Sequence, residues 1–274
     1  MENHFYHIDE KVAEDLIART EKSGYEKSGA NSKASTVGKY VVLKAGNIPL
    51  VQTDKFPASV VPFDVVIEKL WQLEKQGGNA VPILGYCFDP EKSRKIFKDG
   101  NKTSIRSSYG KGYIIQHRAP GQEMWERERM GEKEYIVRRT KTFADAPQEQ
   151  FDKFVADYMA ILDAGIMVDY SKRENFFYDE EKGFSFIDLN FMLNKKQRES
   201  KYNLLSKYCT MPANSFVLAS SPAVARMTDA EYHALLDDNR AVFEKCKKAI
   251  VANGLATEAE IKMPKIPPRA RPVF

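Results

Sequence analysis

Apolar residues recur along this chain with two different periods. Short runs rich in β-branched and aromatic residues predict strands over 40–46, 81–88 and 112–117. Apolar positions at helical spacing predict four helices, over 9–22, 62–76, 147–164 and 228–253. The stretch 23–39 is rich in Gly, Ser and Lys, so we expect a loop or a glycine-bearing hairpin there.

Residues at the ends of these segments support the helices. Gly77-Gly78, Gly165 and Gly254 each follow the last apolar position of a helix, where glycine ends helices most readily. Thr228 and Glu231 have the spacing of a capping box, in which each side chain bonds the other residue's backbone.

Near Ala119-Pro120-Gly121 the pattern changes from one that predicts mainly strands to one that predicts mainly helices. We expect an α+β protein with a sheet-and-helix domain over 1–119 and a helical domain over 120–274. A ligand would bind in the cleft between two such lobes. The loop 89–111 and the mixed-charge stretch 122–134 are expected to face solvent, and the basic, proline-rich tail 262–274 is expected to be extended or loosely packed.

Composition excludes several classes of protein. Among the 274 residues, 42 basic and 38 acidic side chains leave a net charge of +4, which is too balanced to indicate a nucleic-acid partner. Three cysteines without a CxxC pair favour a reducing compartment. No apolar run approaches the ~20 residues of a membrane span, and the N-terminus lacks the pattern of a signal peptide. We therefore expect a cytoplasmic protein without a membrane partner.

Two pairs of residues could serve phosphoryl transfer, which needs a cation on the phosphates and hard oxygen ligands for magnesium. Lys44 lies in the predicted strand VVLK, and Glu68, on the following helix, could hold it extended. Asn175 and Asp188 lie 13 residues apart at the two ends of a predicted hairpin. Because Asp188 sits within an apolar run, its carboxylate should have a cation partner.

The order of these segments resembles the protein kinase-like superfamily, in a compact, divergent form of bacterial type. VVLK, the helix with Glu68, GYIIQHRAPGQEM, the long helix, DxxKxxN and the 13-residue step to Asp188 follow that family's order over residues 24–190. The resemblance implies a two-lobed fold with a small antiparallel-sheet N-lobe, one main N-lobe helix and a reduced helical C-lobe. It also implies ATP and Mg²⁺ as cofactors.

The resemblance further implies a role for each matching residue. Lys44 would hold the α- and β-phosphates, with Glu68 as its ion-pair partner. The nucleotide pocket would include Gln116 at the gatekeeper position, His117, Arg118 and Ala119 at the hinge, and Glu123 near the ribose. Asp169 would orient the acceptor, Lys172 would lie near the γ-phosphate, and Asn175 and Asp188 would bind magnesium.

The sequence departs from the family pattern at three places. Met167-Val168-Asp169 replaces HRD, Asp188-Leu189-Asn190 replaces DFG, and no GxGxxG loop is present. The leading hypothesis is a kinase that transfers the γ-phosphoryl group of ATP to a hydroxyl of a protein or small molecule. The alternatives are a pseudokinase that acts as a binding or regulatory module, and nucleotidyl transfer (AMPylation) on the same fold.

Overall fold

A computed structural model of the chain provides the fold. It describes residues 1–28, 32–52, 63–89, 106–123, 125–129, 135–139, 145–167, 176–187, 191–192 and 228–263. These residues form a mixed α+β structure, as the sequence predicts. None of the helices in these ranges is long and apolar enough to cross a membrane.

A six-stranded antiparallel sheet is built from the first part of the chain. Its strands are β1 (Glu2–Phe5), β2 (Lys27–Ser28), β3 (Ser32–Val37), β4 (Tyr40–Gln52), β5 (Ile83–Phe88) and β6 (Arg106–His117). They lie in the order β1-β5-β6-β4-β3-β2. The three predicted strands are confirmed as β4, β5 and β6, although β4 and β6 are longer than their apolar runs. The predicted glycine-bearing hairpin contains β2 and β3.

Helix α1 (Glu10–Ser23) covers one face of this sheet. The Asp9 side chain caps it by accepting a hydrogen bond from the Val12 amide at 3.2 Å, which satisfies one of the first-turn donors. Apolar side chains of α1 pack into one buried cluster with residues of three strands: Ala13, Leu16, Ile17, Val42, Leu84, Cys87 and Ile115. The cluster joins β4, β5 and β6 to the helix.

Helix α2 (Phe63–Lys75) contacts the opposite face of the sheet. Tyr86 precedes Cys87, a member of the α1 cluster, so alternation directs its side chain to the opposite face; a register shift between Ile83 and Gly85 lets Leu84 join the same cluster as Cys87. Its ring lies 5.1 Å from that of Phe63, and its hydroxyl donates to Asp64 at 2.6 Å. Because both faces are covered, β5 is buried along its whole length, which explains its continuous apolar sequence.

Helix α3 (Gln148–Asp163) packs on a hairpin of β11 (Phe176–Asp179) and β12 (Gly183–Phe186). The packing is aromatic: the Phe154 ring lies 5.2 Å from Phe184 and 5.3 Å from Phe186. Strand β7 (Gln122–Glu123) pairs with β11 and completes a three-stranded sheet. The predicted helix over 147–164 and the predicted hairpin are confirmed.

Helix α4 (Asp229–Ala252) carries the predicted capping box. Thr228 Oγ1 accepts from the Glu231 amide at 3.2 Å, and the Glu231 carboxylate accepts from the Thr228 amide at 2.7 Å. The helix is tied to the start of α3, because Lys245 Nζ donates to Ala146 O at 2.5 Å.

The stretch 122–134, which the sequence predicts to face solvent, contains strands that the sequence did not predict. It contains β7 and β8 (Trp125–Arg129), and β8 pairs with β9 (Tyr135–Arg139). Charged residues at most positions of β8 hide the apolar alternation by which strands are usually found. The antiparallel pair sets Glu126 opposite Arg138.

Strands β10 (Ile166–Met167) and β13 (Phe191–Met192) form a further short antiparallel pair. The chain divides into two units. The first contains Met1–Ala119, Ile161–Val168 and Asp188–Glu199, and the second contains Pro120–Ala160, Asp169–Ile187 and Ser200–Phe274. Each unit is therefore built from three separate stretches of the sequence.

Gly121 allows β7 to approach β11 closely. A Cβ at this position would lie 2.0 Å from Tyr178 O, and the glycine has φ +77°. Gly254 has a similar φ of +67° but nothing within 4 Å of such a Cβ. We predict that Gly254→Ala costs about 1–2 kcal/mol for its left-handed backbone. Gly121→Ala should cost more, because backbone atoms must also move.

Thermal unfolding of the two variants checks this. At roughly 2–4 °C per kcal/mol, Gly254→Ala should lower the Tm by a few degrees and Gly121→Ala by clearly more. Equal Tm values for the two variants would show that the close approach to Tyr178 contributes nothing.

Candidate functional site

Lys44 lies in the middle of the six-stranded sheet, on the face that α1 covers. It is directly opposite Lys33 in β3 and Tyr113 in β6. Residues two apart in a strand share a face, so Lys44 is on the same side as Val42, which packs in the α1 cluster.

The partner of Lys44 is Glu21, in the last turn of α1. Lys44 Nζ lies 2.9 Å from Glu21 Oε1 and 3.1 Å from Oε2. Glu21 Oε1 also accepts hydrogen bonds from the hydroxyl of Tyr113 at 2.8 Å and from that of Tyr25. The ammonium group lies 5.5 Å from the centre of the Tyr25 ring and 5.8 Å from that of Tyr113, within cation–π range. One carboxylate thus joins α1, β4, β6 and the segment before β2.

The electrostatics of these four residues follow from the shared carboxylate. The hydrogen bond from Tyr25, and next that from Lys44, lowers the pKa of Glu21 to about 2. The hydrogen bond with Glu21 raises the pKa of Lys44. Burial, followed by the bond to Glu21, raises the pKa of both Tyr25 and Tyr113. At neutral pH the cluster therefore consists of a carboxylate, an ammonium group and two neutral phenols.

The predicted ion pair between Lys44 and Glu68 is wrong. Glu68 is exposed on α2, where its carboxylate accepts a hydrogen bond from Gln72 at 3.3 Å. The reason is the alternation of β4, which directs Lys44 toward α1 on the face of Val42, whereas the first residues of α2, Phe63 and Asp64, contact Tyr86 on the opposite face. The sequence did predict a lysine held by a glutamate on a packed helix, but it assigned the wrong helix.

Gln116, predicted at the gatekeeper position, does not share a face with Lys44. It is buried in β6, opposite Val41, and lies three residues from Tyr113. An odd separation within a strand places side chains on opposite faces. In β4 it is Leu43, opposite Ile114, that lies on the Gln116 side. The structure thus separates the predicted phosphate-binding lysine from the predicted gatekeeper.

His117, at the predicted hinge, belongs to an aromatic group that the sequence did not reveal. Its ring lies 5.9 Å from Trp71 and 6.1 Å from Tyr40, and its Nδ1 lies 3.9 Å from a Glu74 oxygen. The ring of His7 stacks on Trp71 at 4.0 Å. Burial lowers the pKa of both histidines, so both are neutral at pH 7. The four rings come from distant parts of the sequence, and no local pattern in the sequence predicts that they contact one another.

The structure describes three more residues of the predicted nucleotide pocket: Arg118 and Ala119 at the hinge, and Glu123, predicted near the ribose. Ala119 is buried, and the Arg118 amide donates to Lys39 O at 2.8 Å. Glu123 lies in β7 directly opposite Phe177 in β11, and Phe177 is opposite Ser185 in β12. These three residues therefore occupy one row of the three-stranded sheet.

The remaining predicted site residues lie outside the described residues: Asp169, Lys172, Asn175 and Asp188. The structure does describe the chain on either side of them. Met167 pairs with Phe191, and Phe176 pairs with Phe186. Residues 168–175 connect Met167 to Phe176, and residues 187–190 connect Phe186 to Phe191. Both connections thus begin and end at paired residues.

Within the described ranges no group of three or more His, Cys, Asp or Glu side chains could hold a metal ion. The magnesium ligands that the resemblance implies, Asn175 and Asp188, fall in the two connections and not in those ranges. Their oxygen donors are of the hard type that Mg²⁺ prefers.

Comparisons with known proteins give little further guidance. No protein-family model matches the chain, and a search of curated protein sequences finds no match. Among solved structures, a co-crystal structure of WbdD with the kinase inhibitor LY294002 matches with 10% identity and a TM-score of 0.37. The match covers 80% of this chain and 45% of that chain, so this chain spans less than half of its length. A similarity of this size carries no argument about the site.

The Glu21 cluster predicts how stability depends on pH. Because the folded pKa of Glu21 is lowered from 4.5 to about 2, its contribution is complete above about pH 4.5 and is lost as the pH falls toward 2. The Glu21 and Lys44 side chains remain 40% and 44% exposed, so we expect Glu21→Gln to cost about 1 kcal/mol or less near neutral pH.

Thermal unfolding between pH 2 and 7 measures this effect. The Tm difference between wild type and Glu21→Gln should be constant near neutral pH and shrink in acid. Asp15→Asn is the control, because it removes another carboxylate of α1, one that pairs with the exposed Arg19 at 2.8 Å. A Glu21→Gln difference that does not change with pH would contradict the shared-carboxylate description.

Proposed function

We propose that this chain is an ATP- and magnesium-dependent phosphotransferase with a kinase-like fold. It would transfer the γ-phosphoryl group to a hydroxyl group of a protein or small molecule. The observation that supports this most directly is the arrangement of the two connections, 168–175 and 187–190, between the same two strand pairs. They carry the residues that the sequence resemblance assigns to catalysis and magnesium.

The register of β11 and β12 supports the proposal that Asn175 and Asp188 share one magnesium site. Asn175 directly precedes Phe176, and Asp188 follows Phe186 by two residues. Because Phe176 and Phe186 are opposite each other in an antiparallel pair, their Cα atoms are ~4.5–5.5 Å apart. Asn175 and Asp188 are close to these two residues in the sequence, and their amide and carboxylate oxygens are hard donors of the kind that suits Mg²⁺.

Each residue of the two connections would have a distinct task. When bound, magnesium neutralises the charge of the phosphates. Asp169 would accept the proton of the acceptor hydroxyl and orient it, and Lys172 would place its ammonium group beside the transferred phosphoryl group. Catalysis would come mainly from positioning and from fixed charges.

The proposal does not assign Lys44 to the phosphates. Its ammonium group is bound by Glu21 on the face that α1 covers, so its role in this account is to anchor α1 to the sheet. Lys172 and the magnesium ion would supply the positive charge instead.

A second candidate is a pseudokinase that binds a partner without transferring phosphate. The orientation of β4 favours it, because Leu43 and not Lys44 lies on the Gln116 face of the sheet. A sheet without a lysine at that place would hold the phosphates of a nucleotide less firmly. The experiments below separate the two candidates.

The first experiment removes the predicted magnesium ligand. Asp188→Ala should abolish magnesium-dependent transfer from ATP, because it removes a ligand without removing core volume. Asp237→Ala is the matched control: Asp237 is exposed on α4 and pairs with Arg240 at 3.0 Å. The intact mass of the acceptor distinguishes a transferred phosphoryl group from an adenylyl group. Near wild-type activity in Asp188→Ala would remove Asp188 from the site.

The second experiment tests the role of Lys44. Lys44→Met should lower the Tm through loss of the Glu21 pair but leave kcat and the KM for ATP near the wild-type values. A lysine that stabilises the transferred phosphate would instead cost about 10²–10³-fold in kcat when removed, as other transition-state donors do. A loss of that size would return Lys44 to the nucleotide site and contradict its assignment to α1.

A further inference from the structure

Lys69 makes a polar contact between α2 and the end of α3. Its Nζ donates to the backbone oxygen of Ala164 at 2.6 Å, and the side chain is partly buried. Ala164 directly follows the last residue of α3, Asp163. The final carbonyls of a helix have no partner within it and form the negative end of its dipole. A lysine is therefore well suited to this position.

This contact lies shortly before the proposed catalytic residues in the sequence. Gly165 has φ +80° and turns the chain, and its amide donates to Leu162 O at 2.9 Å. Ile166 is fully buried and begins β10. Asp169 follows Ala164 by five residues. A displacement of Ala164 would therefore be passed to β10, whose last residue, Met167, comes two residues before Asp169 in the sequence.

We propose that Lys69 is a positioning residue that fixes residues 164–167, which precede Asp169 in the sequence, through its bond to Ala164. The polar contact from α2 toward this segment is made by Lys69, whereas the adjacent Glu68 faces solvent and bonds Gln72. The inference rests on the proposed function as far as catalysis is concerned. Its geometric part, that Lys69 holds residues 164–167 in place, is independent of activity.

The test compares Lys69→Met with Lys69→Arg and with Lys75→Met. Methionine keeps the length and apolar stem of lysine but cannot donate a hydrogen bond, and arginine can. Lys75 is an exposed lysine in the last turn of the same helix, so Lys75→Met controls for loss of a charge from α2. All variants are assayed well below their Tm.

We expect Lys69→Met to lower kcat roughly 10- to 100-fold, the size of effect produced by misplacing a reacting group, with the KM for ATP little changed. Lys69→Arg should restore most of kcat, and Lys75→Met should match the wild type. A Lys69→Met variant that loses Tm but keeps the kcat of Lys75→Met would overturn the inference.

Hydrogen exchange of the peptide that contains residues 164–167 tests the geometric part by itself. Its amides should exchange roughly tenfold faster in Lys69→Met than in Lys75→Met, as expected when about one hydrogen bond's worth of local stability is lost. Equal exchange would overturn the inference. If the wild type transfers no phosphate, the proposed function fails, and the exchange result still decides whether Lys69 holds this segment.

Discussion

The alternation of side chains in β4 is the constraint on which the rest of the first unit depends. This strand lies between β3 and β6, with α1 packed on the face of Val42 and with Phe63 and Asp64 of α2 in contact with Tyr86 on the other face. Over residues 41–45 the side chains of β4 therefore alternate between the face of the α1 cluster and the opposite face. A shift of one residue would exchange Lys44 and Leu43 and would break both the apolar cluster under α1 and the Glu21 contacts.

The Glu21 carboxylate adds a polar counterpart to that apolar cluster. It lies where α1 ends, and its donors come from β4, from β6 and from the segment that leads into β2. The apolar cluster opposes a one-residue shift of β4, because that shift would turn its residues to the other face. The three directional hydrogen bonds to one carboxylate support the same register, because they depend on where Lys44 and Tyr113 lie along their strands.

Local sequence signals predicted most of the described elements. Helices begin and end close to the residues that indicated their ends. Helix α3 ends two residues before Gly165, and α4 begins directly after Thr228, which forms the capping box with Glu231. The longer strands followed their β-branched runs. The sequence did not predict the short or charged strands β1, β7, β8, β9, β10 and β13, because such strands gain their stability from a neighbour and have little apolar pattern of their own.

The candidate site was less predictable than the fold. The sequence identified Lys44 as a lysine in need of a carboxylate, but choosing Glu21 over Glu68 requires the strand register and the packing of α1. These are non-local properties that spacing along the chain does not encode. For the same reason the sequence did not reveal that Lys69 meets Ala164, 95 residues away.

These results leave the proposed chemistry on the two connections that follow β10 and β12. The sheet and α1 then serve as a scaffold, and α2 meets the segment before Asp169 through Lys69. Under the proposed function, the charges that act on phosphate would be those of Lys172 and of a magnesium ion bound by Asn175 and Asp188.

The most direct test is thermal unfolding of the wild-type protein with ATP alone, magnesium alone, and both together. A ligand at ~100 times its Kd stabilises by about 2.7 kcal/mol, which corresponds to a rise in Tm of roughly 5–10 °C for a chain of this size. The account predicts such a rise only when ATP and magnesium are both present. An unchanged Tm with both at millimolar concentration would contradict it and favour a binding module that does not use nucleotide.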